Sequence, residues 1–376
     1  MEQQRPELLR LCLKIHDNPE LSFSEERAAA WLSAYLEKNG LSVERDIAGL
    51  ATAFRGSYGE GEPRLAIIAE YDALPEIGHA CGHNIIATAA VGAGVAAKPV
   101  VDALGGSVIV LGTPGEEAFA GKVDMVEAGV FNGIDAAMMV HPDVSNVATV
   151  VSLACVSLDI EFVGKAAHAA ANPYGGVNAL EAMILGFGAL NSLRQHMKQE
   201  ARVHGIITDG GEAPNTVPAH SAAKLLVRAL DDGYLNELKE RVLDCFAGAA
   251  ISTGATMQYS WGEKVIAPMR NNLALAELFR RNLEALGRRV EFDNPGANLF
   301  STDMGNVSQV VPSIHPTVAI ASPGTLIHSL EFASAAASEA GYLGALDAAK
   351  AMAMTVVDIL ARPDMIATIR EEFHHG

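Results

Sequence analysis

The apolar residues of the first 150 positions fall into short continuous runs, separated by stretches in which they recur every three or four positions. Runs at residues 65–70, 107–112 and 136–140 are typical of strands buried on both faces. The stretches between them, 85–97 and 122–128, have the period of helices. This alternation predicts an α/β fold, with a mostly parallel sheet flanked by helices.

Further elements are predicted before this alternation. Residues 6–17 form an amphipathic pattern, and a second helix is predicted to begin after Ser24 as N-cap and to end at Asn39-Gly40. Short strands are expected at residues 41–45 and 51–55. These elements would precede the parallel sheet, and helical patterns at residues 271–286 and 340–362 are expected to cover it.

The pattern changes after residue 150, which indicates a separate domain. Alternating strand patterns and helical patterns follow one another as βαββαβ, at residues 156–163, 178–197, 203–209, 222–230, 232–248 and 255–259. That order is the ferredoxin-like α+β pattern. We therefore predict a first part of one domain at 1–150, an inserted domain at 151–263, and a return to the first domain at 264–376.

Composition limits the class of protein. The 376 residues exceed what one hydrophobic core usually supports, and 49% of them are apolar, which suits a compact two-domain protein. The net charge of −18 disfavours nucleic acid and anionic membranes as partners. No signal-peptide core is recognised, and no stretch approaches the roughly 18 to 20 uncharged apolar residues of a membrane span. Four scattered cysteines suit free thiols. We expect a cytoplasmic protein that does not bind membranes.

Polar side chains with metal-binding chemistry follow four of the predicted strands. Taken singly, each is weak, because a cysteine or histidine is more often structural and adjacent acids are usually a solvated turn. Carboxyl ends of parallel strands meet at one edge of a sheet, so these residues should lie together. Thiolate, imidazole and carboxylate ligands suit zinc and its first-row neighbours. The predicted cluster is Cys81, His83, Glu116, Glu117, His141 and His328.

Four motifs in this order resemble the aminoacylase and hippurate hydrolase family of dinuclear metallo-amidohydrolases, which includes carboxypeptidase G. They begin at Tyr71 (YDALP), His79 (HACGHN), Pro114 (PGEE) and Ile327 (IHS). The spelling of the first two is most similar to the p-aminobenzoyl-glutamate hydrolase and β-alanyl-lysine-type dipeptidase branch. The resemblance spans nearly the whole chain and implies a zinc-exopeptidase-like catalytic domain with an inserted lid and dimerisation domain.

The resemblance also implies roles for individual residues. Glu116 would act as general base and acid, Asp72 would orient a ligand, and His168 would bind the oxyanion from the partner subunit. Asn215 would contact substrate. Two divalent ions, Zn, Mn, Co or Ni, would be held by Cys81, His83, Glu117, His141 and His328.

Two positions remain open at this stage. Glu70 stands where carboxypeptidase-like members carry a histidine ligand, so their ligand set does not transfer to this chain. Arg270 follows the inserted domain and is a candidate to pair with a substrate carboxylate, although a surface arginine is the simpler interpretation of the pattern.

The resulting hypothesis is a homodimeric, metal-dependent amidohydrolase that cleaves the amide of a small N-acyl amino acid or dipeptide-like compound. Two alternatives stay open. One is an enzyme of the same kind that releases ammonia or an aromatic amine. The other is a catalytically silent metal-binding dimer that serves as a scaffold.

Overall fold

The computed structural model describes residues 1–118, 121–293 and 299–375, and the chain divides into two compact units. Unit 1 comprises Met1–Val151, Met269–Asn298 and Thr302–Gly376, and unit 2 comprises Ser152–Pro268 and Leu299–Ser301. Each unit has its own main sheet, and unit 1 has a hydrophobic core on each face of that sheet.

The strands and helices account for most of the described chain. In chain order, the strands are β1 Ser42–Arg45, β2 Phe54–Tyr58, β3 Arg64–Ala69, β4 Ser107–Gly112, β5 Ala136–Met138, β6 His141–Asp143, β7 Ala154–Val163, β8 Arg202–Asp209, β9 His220–Ala229, β10 Thr256–Trp261, β11 Ser313–Ile314 and β12 Thr317–Ala319. The helices are α1 Arg5–His16, α2 Glu26–Lys38, α3 His83–Leu104, α4 Gly121–Glu127, α5 Ala179–Arg194, α6 Asp232–Thr253, α7 Leu273–Ala285, α8 Met304–Val310, α9 Leu330–Ala336, α10 Glu339–Ala361 and α11 Pro363–His375. Short 3-10 turns lie at Glu2–Gln4, Ile47–Gly49 and Pro173–Gly175.

The main sheet of unit 1 has the strand order β1-β2-β4-β3-β5-β11. Strands β4, β3, β5 and β11 are parallel, and β1 and β2 add an antiparallel edge. Alternate residues of β3 enter two different cores: Leu65 and Ile67 pack in one, and Ala66 and Ile68 pack in the other. Helices cover both faces because both faces are apolar. The predicted α/β fold is confirmed.

Helix α3 is the central helix of unit 1 and runs from His83 to Leu104. It is long and apolar enough to cross a membrane by length and composition alone, although Lys98 and Asp102 lie within it. Its most apolar 18-residue window is 78% buried inside the protein, as in a core helix. Pro99 lies within the helix and does not end it.

Unit 2 is an antiparallel sheet with the strand order β10-β7-β9-β8, whose described helices are α5 and α6. Its chain order, βαββαβ, is the ferredoxin-like order predicted from the sequence. Strand β7 alternates from Val156 onwards, because Leu158, Ile160 and Phe162 are fully buried, whereas Asp159 and Glu161 are exposed. Helices α5 and α6 contribute to the core that the buried residues form.

The structure corrects the predicted strand around His141. This residue does not follow the end of β5 as a loop; it begins β6, which pairs in parallel with β12 in a separate two-stranded sheet. The place beside β5 in the main sheet is taken by the two-residue strand β11. Two residues are too short to produce a periodic pattern, so the sequence does not reveal β11.

The predicted N-cap of the second helix is also wrong. Ser24 does not cap α2, which begins at Glu26. The Glu20 carboxylate instead accepts hydrogen bonds from the backbone N–H groups of Arg27 (3.0 Å) and Ala28 (2.9 Å). A carboxylate satisfies first-turn N–H groups and complements the positive end of the helix dipole, so Glu20 replaces the local cap.

Candidate metal centre

The polar residues that follow β3 and β4 lie side by side because these two strands are parallel neighbours. Asp72 comes three residues after the end of β3, and Glu116 and Glu117 come soon after β4. The backbone N–H of Glu117 donates to Asp72 Oδ2 at 2.9 Å. A hydrogen bond therefore joins the two loops directly.

Cys81 and His83 lie at the start of α3, with Gly82 as its N-cap. Gly82 has a φ of +80°, a conformation that residues with a Cβ rarely adopt. A Cβ at this position would also lie 2.5 Å from Pro142 Cγ. Glycine is thus required both by the turn and by the approach of Pro142, which belongs to the same strand as His141.

His328 joins the cluster through an unusual backbone conformation. Its φ is +65°, which is strained for a residue other than glycine and is common at functional sites. Its backbone N–H donates to Ala80 O at 3.0 Å, next to Cys81. Ser329 then caps α9 by accepting from Phe332 N–H.

All six side chains predicted for the cluster lie together in unit 1. Their ligand atoms form three overlapping groups, each within 4.8 Å: Cys81 with His83 and His141; Cys81 with Glu117 and His328; and His83 with Glu116 and Glu117. Cys81 belongs to two of these groups. His83 and Glu117 also belong to two groups each, so the six side chains form one continuous cluster of possible ligands.

The side chain of His83 is oriented by a buried carboxylate. His83 Nδ1 lies 2.9 Å from Asp72 Oδ1, and Ser22 Oγ donates to Asp72 Oδ2 at 2.8 Å. Burial raises the pKa of Asp72, but the charge of His83 and these hydrogen bonds outweigh it and lower the pKa to about 2. Asp72 accepts from Nδ1–H, which leaves Nε2 as the ring nitrogen that can bind a cation once it has released its proton.

The donor atoms fit divalent cations. His83 Nε2 and Glu117 Oε1 are buried and have no hydrogen-bond partner within the described part of the chain. They lie 3.9 Å apart, and Glu117 Oε1 lies 3.7 Å from His328 Nε2. Two N or O ligands on one zinc ion cannot be more than about 4.2 Å apart, because each bond is roughly 2.1 Å. These distances therefore allow a shared cation.

Two pKa shifts suit this chemistry. Burial lowers the pKa of His141 to about 4, so the imidazole is neutral at pH 7, the form that binds metals. Its Nδ1 lies 2.7 Å from Pro142 O and its Nε2 lies 3.4 Å from Cys81 Sγ. Burial raises the pKa of Glu116 well above its usual value, and the charges of Glu70 and Asp303 raise it further. Glu116 is thus suited to hold a proton.

Sequence reasoning missed the role of Lys122. Its side chain is fully buried, and its ammonium lies 2.5 Å from Glu70 Oε1 and 2.6 Å from Asp303 Oδ1. Glu70, Glu116 and Asp303 also form a group of ligand atoms within 4.8 Å of one another. We do not assign this group to a metal, because the Lys122 ammonium already supplies a positive charge there. The sequence gives no signal for it beyond the departure noted at Glu70.

In unit 2, the two residues predicted to meet substrate lie on neighbouring segments. His168 pairs with Thr216, and Ala169 N–H donates to Asn215 O at 2.9 Å. His168 Nδ1 accepts from the N–H groups of Ala170 and Ala171 at 3.3 and 3.2 Å. Since Nδ1 is an acceptor, the neutral ring carries its proton on Nε2, and this exposed side chain can act as a donor.

Arg270 has structural partners in unit 1. Its guanidinium donates to Phe373 O and lies 4.6 Å from the centroid of the Phe373 ring. Its backbone N–H donates to Ser308 Oγ at 2.9 Å. These contacts attach the segment before α7 to α8 and α11, and they give no support to the predicted role in binding a substrate carboxylate.

Comparisons with known proteins bear on the chain as a whole. The model of peptidase family M20/M25/M40 matches residues 66–360. The Xaa-Arg dipeptidase of Mus musculus is 39% identical over 373 residues, which cover 94% of this chain and 86% of the dipeptidase. One of the subunits of p-aminobenzoyl-glutamate hydrolase from Escherichia coli is 29% identical, covering 99% of this chain and 93% of that subunit.

Solved structures confirm the fold. A putative aminohydrolase from methicillin-resistant Staphylococcus aureus superposes with a TM-score of 0.77 at 21% identity, covering 96% of this chain and 97% of that one. A dinuclear metal binding peptidase of the M20 family from Bacillus subtilis superposes with a TM-score of 0.73 at 20% identity, covering 96% and 99%.

Proposed function

We infer the substrate class from the family, since the chain belongs to peptidase family M20/M25/M40. This membership confirms the resemblance described above and the prediction of a metal-dependent hydrolase acting on amide bonds of small dipeptides and N-acyl amino acids. We propose that dipeptides with a basic C-terminal residue are its preferred substrates.

Two observations support this substrate class. The relative of 39% identity is an Xaa-Arg dipeptidase, and the similarity covers nearly all of both chains. The net charge of −18 attracts cationic compounds and repels anionic ones. A second candidate, p-aminobenzoyl-glutamate, is supported by the relative of 29% identity but carries carboxylates of the same sign as the protein. Its amide joins a benzoyl carbonyl to the nitrogen of glutamate, so hydrolysis releases an amino acid, and the alternative that releases ammonia or an aromatic amine stays separate.

The site that carries the proposal is the cluster around Cys81. We propose that Cys81, His83, Glu117, His141 and His328 hold two divalent ions, and that the ions are zinc, manganese, cobalt or nickel. The buried, unpaired atoms His83 Nε2 and Glu117 Oε1, 3.9 Å apart, are the observation that supports it most directly. When bound, such cations lower the pKa of water and polarise an amide carbonyl.

The protein residues would transfer the proton, orient a ligand and bind the substrate. Glu116 takes a proton from the attacking water and returns it to the leaving nitrogen, which its raised pKa favours. Asp72 keeps His83 in the tautomer that presents Nε2. We further propose that the Nε2–H of His168 donates to the oxyanion, and that Asn215 contacts the substrate.

Unit 2 is proposed to be the lid and the dimerisation domain. Its edge strand β8 exposes apolar side chains, with Ile206 67% and Ile207 42% exposed. An exposed apolar edge strand is a ready site for pairing with another chain. A homodimer formed there would let His168 serve the partner's site. A cytoplasmic location stays a prediction.

The test is the release of free amine from a panel of substrates. Metal-stripped protein is reloaded with each of the four ions and given Xaa-Arg and Xaa-Lys dipeptides, N-acetyl amino acids and p-aminobenzoyl-glutamate. We expect the basic dipeptides to have the highest kcat/KM. Glu116→Gln should retain the metal but lower kcat at least about 100-fold, because it cannot accept a proton.

Each outcome has a clear meaning. Preference for p-aminobenzoyl-glutamate would replace the proposed substrate class with the second candidate. Unchanged turnover in Glu116→Gln would refute its role in proton transfer. Metal binding without hydrolysis of any amide would favour the scaffold alternative.

A further inference from the structure

Lys122 is a fully buried lysine in the first turn of α4, within unit 1. Burial lowers the pKa of this amine, but the charges of Asp303, Glu70 and Glu116 outweigh it and raise the pKa above its usual value. The side chain is therefore an ammonium ion held away from water. A buried charge of this kind is tolerated only when it is paired and hydrogen-bonded.

Asp303 fixes Lys122 at two points. Its Oδ1 lies 2.6 Å from the Lys122 ammonium, and its Oδ2 accepts the Lys122 backbone N–H at 2.9 Å. One carboxylate thus holds both the main chain and the end of the side chain. The position of the ammonium is set by the fold and not by rotamer freedom.

Glu70 connects this ammonium with the ligand cluster. Its Oε1 lies 2.5 Å from Lys122 Nζ, and its Oε2 lies 3.6 Å from His83 Nε2. Glu116 belongs both to the carboxylate group with Glu70 and Asp303 and to the group with His83 and Glu117. Glu70 and Glu116 therefore both lie between Lys122 and the metal centre.

We propose that Lys122 is a positioning residue for Glu116. Its ammonium is a fixed internal cation that holds the carboxylates of Glu70 and Asp303 beside Glu116. Three carboxylates this close repel one another, and the ammonium offsets that repulsion without occupying a ligand position. The inference rests on the proposed role of Glu116 in proton transfer. Lys122 was not among the residues predicted for the site from the sequence.

The test is a double-mutant cycle with Lys122→Met and Asp303→Asn. The amide introduced at position 303 can still accept the backbone N–H of position 122, so the pair of changes removes one charge of each sign. We expect Lys122→Met to lower kcat about 100-fold with KM changed less than about threefold, and to lower the melting temperature, because it leaves uncompensated buried carboxylates. The double variant should recover at least about tenfold in kcat and part of the melting temperature.

Lys98→Met is the matched control. The Lys98 ammonium lies 4.5 Å from the centroid of the Tyr58 ring and donates to a backbone carbonyl, so its loss should leave kcat unchanged. Metal content is measured for every variant, so that loss of a bound metal ion is distinguished from displacement of the Glu116 side chain.

Additive effects of the two changes on both kcat and melting temperature would overturn the proposal. If Lys122→Met alone does not fold, a folded double variant supports the internal cation, and failure of both refutes it. The melting cycle does not depend on the substrate, so it separates this inference from the proposed function. Non-additive melting temperatures for Lys122→Met and Asp303→Asn, together with an active Glu116→Gln variant, would refute the role of Glu116. They would still support the ion pairing of Lys122 with Asp303.

Discussion

Glu25 is a buried carboxyl group that holds the loop carrying Glu116 and Glu117. It is fully buried, its Oε1 accepts the backbone N–H of Gly115 at 2.9 Å, and its Oε2 accepts the hydroxyl of Thr52 at 3.0 Å. Burial raises its pKa from 4.5 to about 7. The stability of unit 1 should therefore depend on pH through this group.

The direction and size follow from the two pKa values. Between pH 4.5 and 7 the unfolded chain has released the proton that folded Glu25 retains, so unfolding becomes more favourable as pH rises. The stabilisation is fully present below pH 4.5 and is lost as pH rises through 7. The difference of 7 − 4.5 units, at 1.36 kcal/mol per unit, corresponds to about 3 kcal/mol.

Glu25→Gln removes the titration and keeps an oxygen that can accept the N–H of Gly115. Free energies of unfolding are measured by denaturant titration of metal-stripped protein at pH 4.5 and pH 8. We expect the variant to gain about 3 kcal/mol relative to the wild type between these two pH values. Glu26→Gln, which removes a neighbouring exposed carboxylate, should follow the wild type. If the free energies of unfolding of wild type and Glu25→Gln change with pH in parallel, Glu25 is not the group whose titration changes the stability.

Two further predictions concern the metal centre and the assembly. Asp72→Asn should weaken metal binding about 10- to 100-fold, because the anionic acceptor of His83 Nδ1–H is lost; competition with a chelator measures this, and an unchanged affinity would contradict the role of Asp72. Ile206→Lys, on the edge strand β8, should shift the protein from dimer to monomer in light scattering, because a charge blocks edge pairing. A monomeric wild type would exclude the proposed dimer.

The sequence predicted the layout of both units well. Runs such as β3 and β4 are apolar throughout because both faces of a parallel sheet are buried. In unit 2, β7 alternates because only one face is covered. These periods are local properties of the chain, so they can be read without knowing what each element packs against.

The candidate ligands were also predictable, for a different reason. Parallel strands bring their carboxyl ends to one edge, so the residues after β3 and β4 had to meet once the strands were placed. The turn at Gly82 then directs Cys81 and His83 towards that edge. The position of His168 Nε2 as a free donor required the structure, because it depends on two backbone N–H groups.

Contacts between residues far apart in the chain are known only from the tertiary structure. Lys122 and Asp303 are 181 positions apart, and Glu25 is 90 positions from Gly115, whose N–H it accepts. A lysine that pairs in the core has the same sequence signature as one on the surface. The longer elements and the types of candidate ligand could be predicted from the sequence, because they depend on local periodicity and chemistry, whereas a two-residue strand such as β11 could not. Which charges are buried together depends on how the elements pack, and that is set by the whole fold.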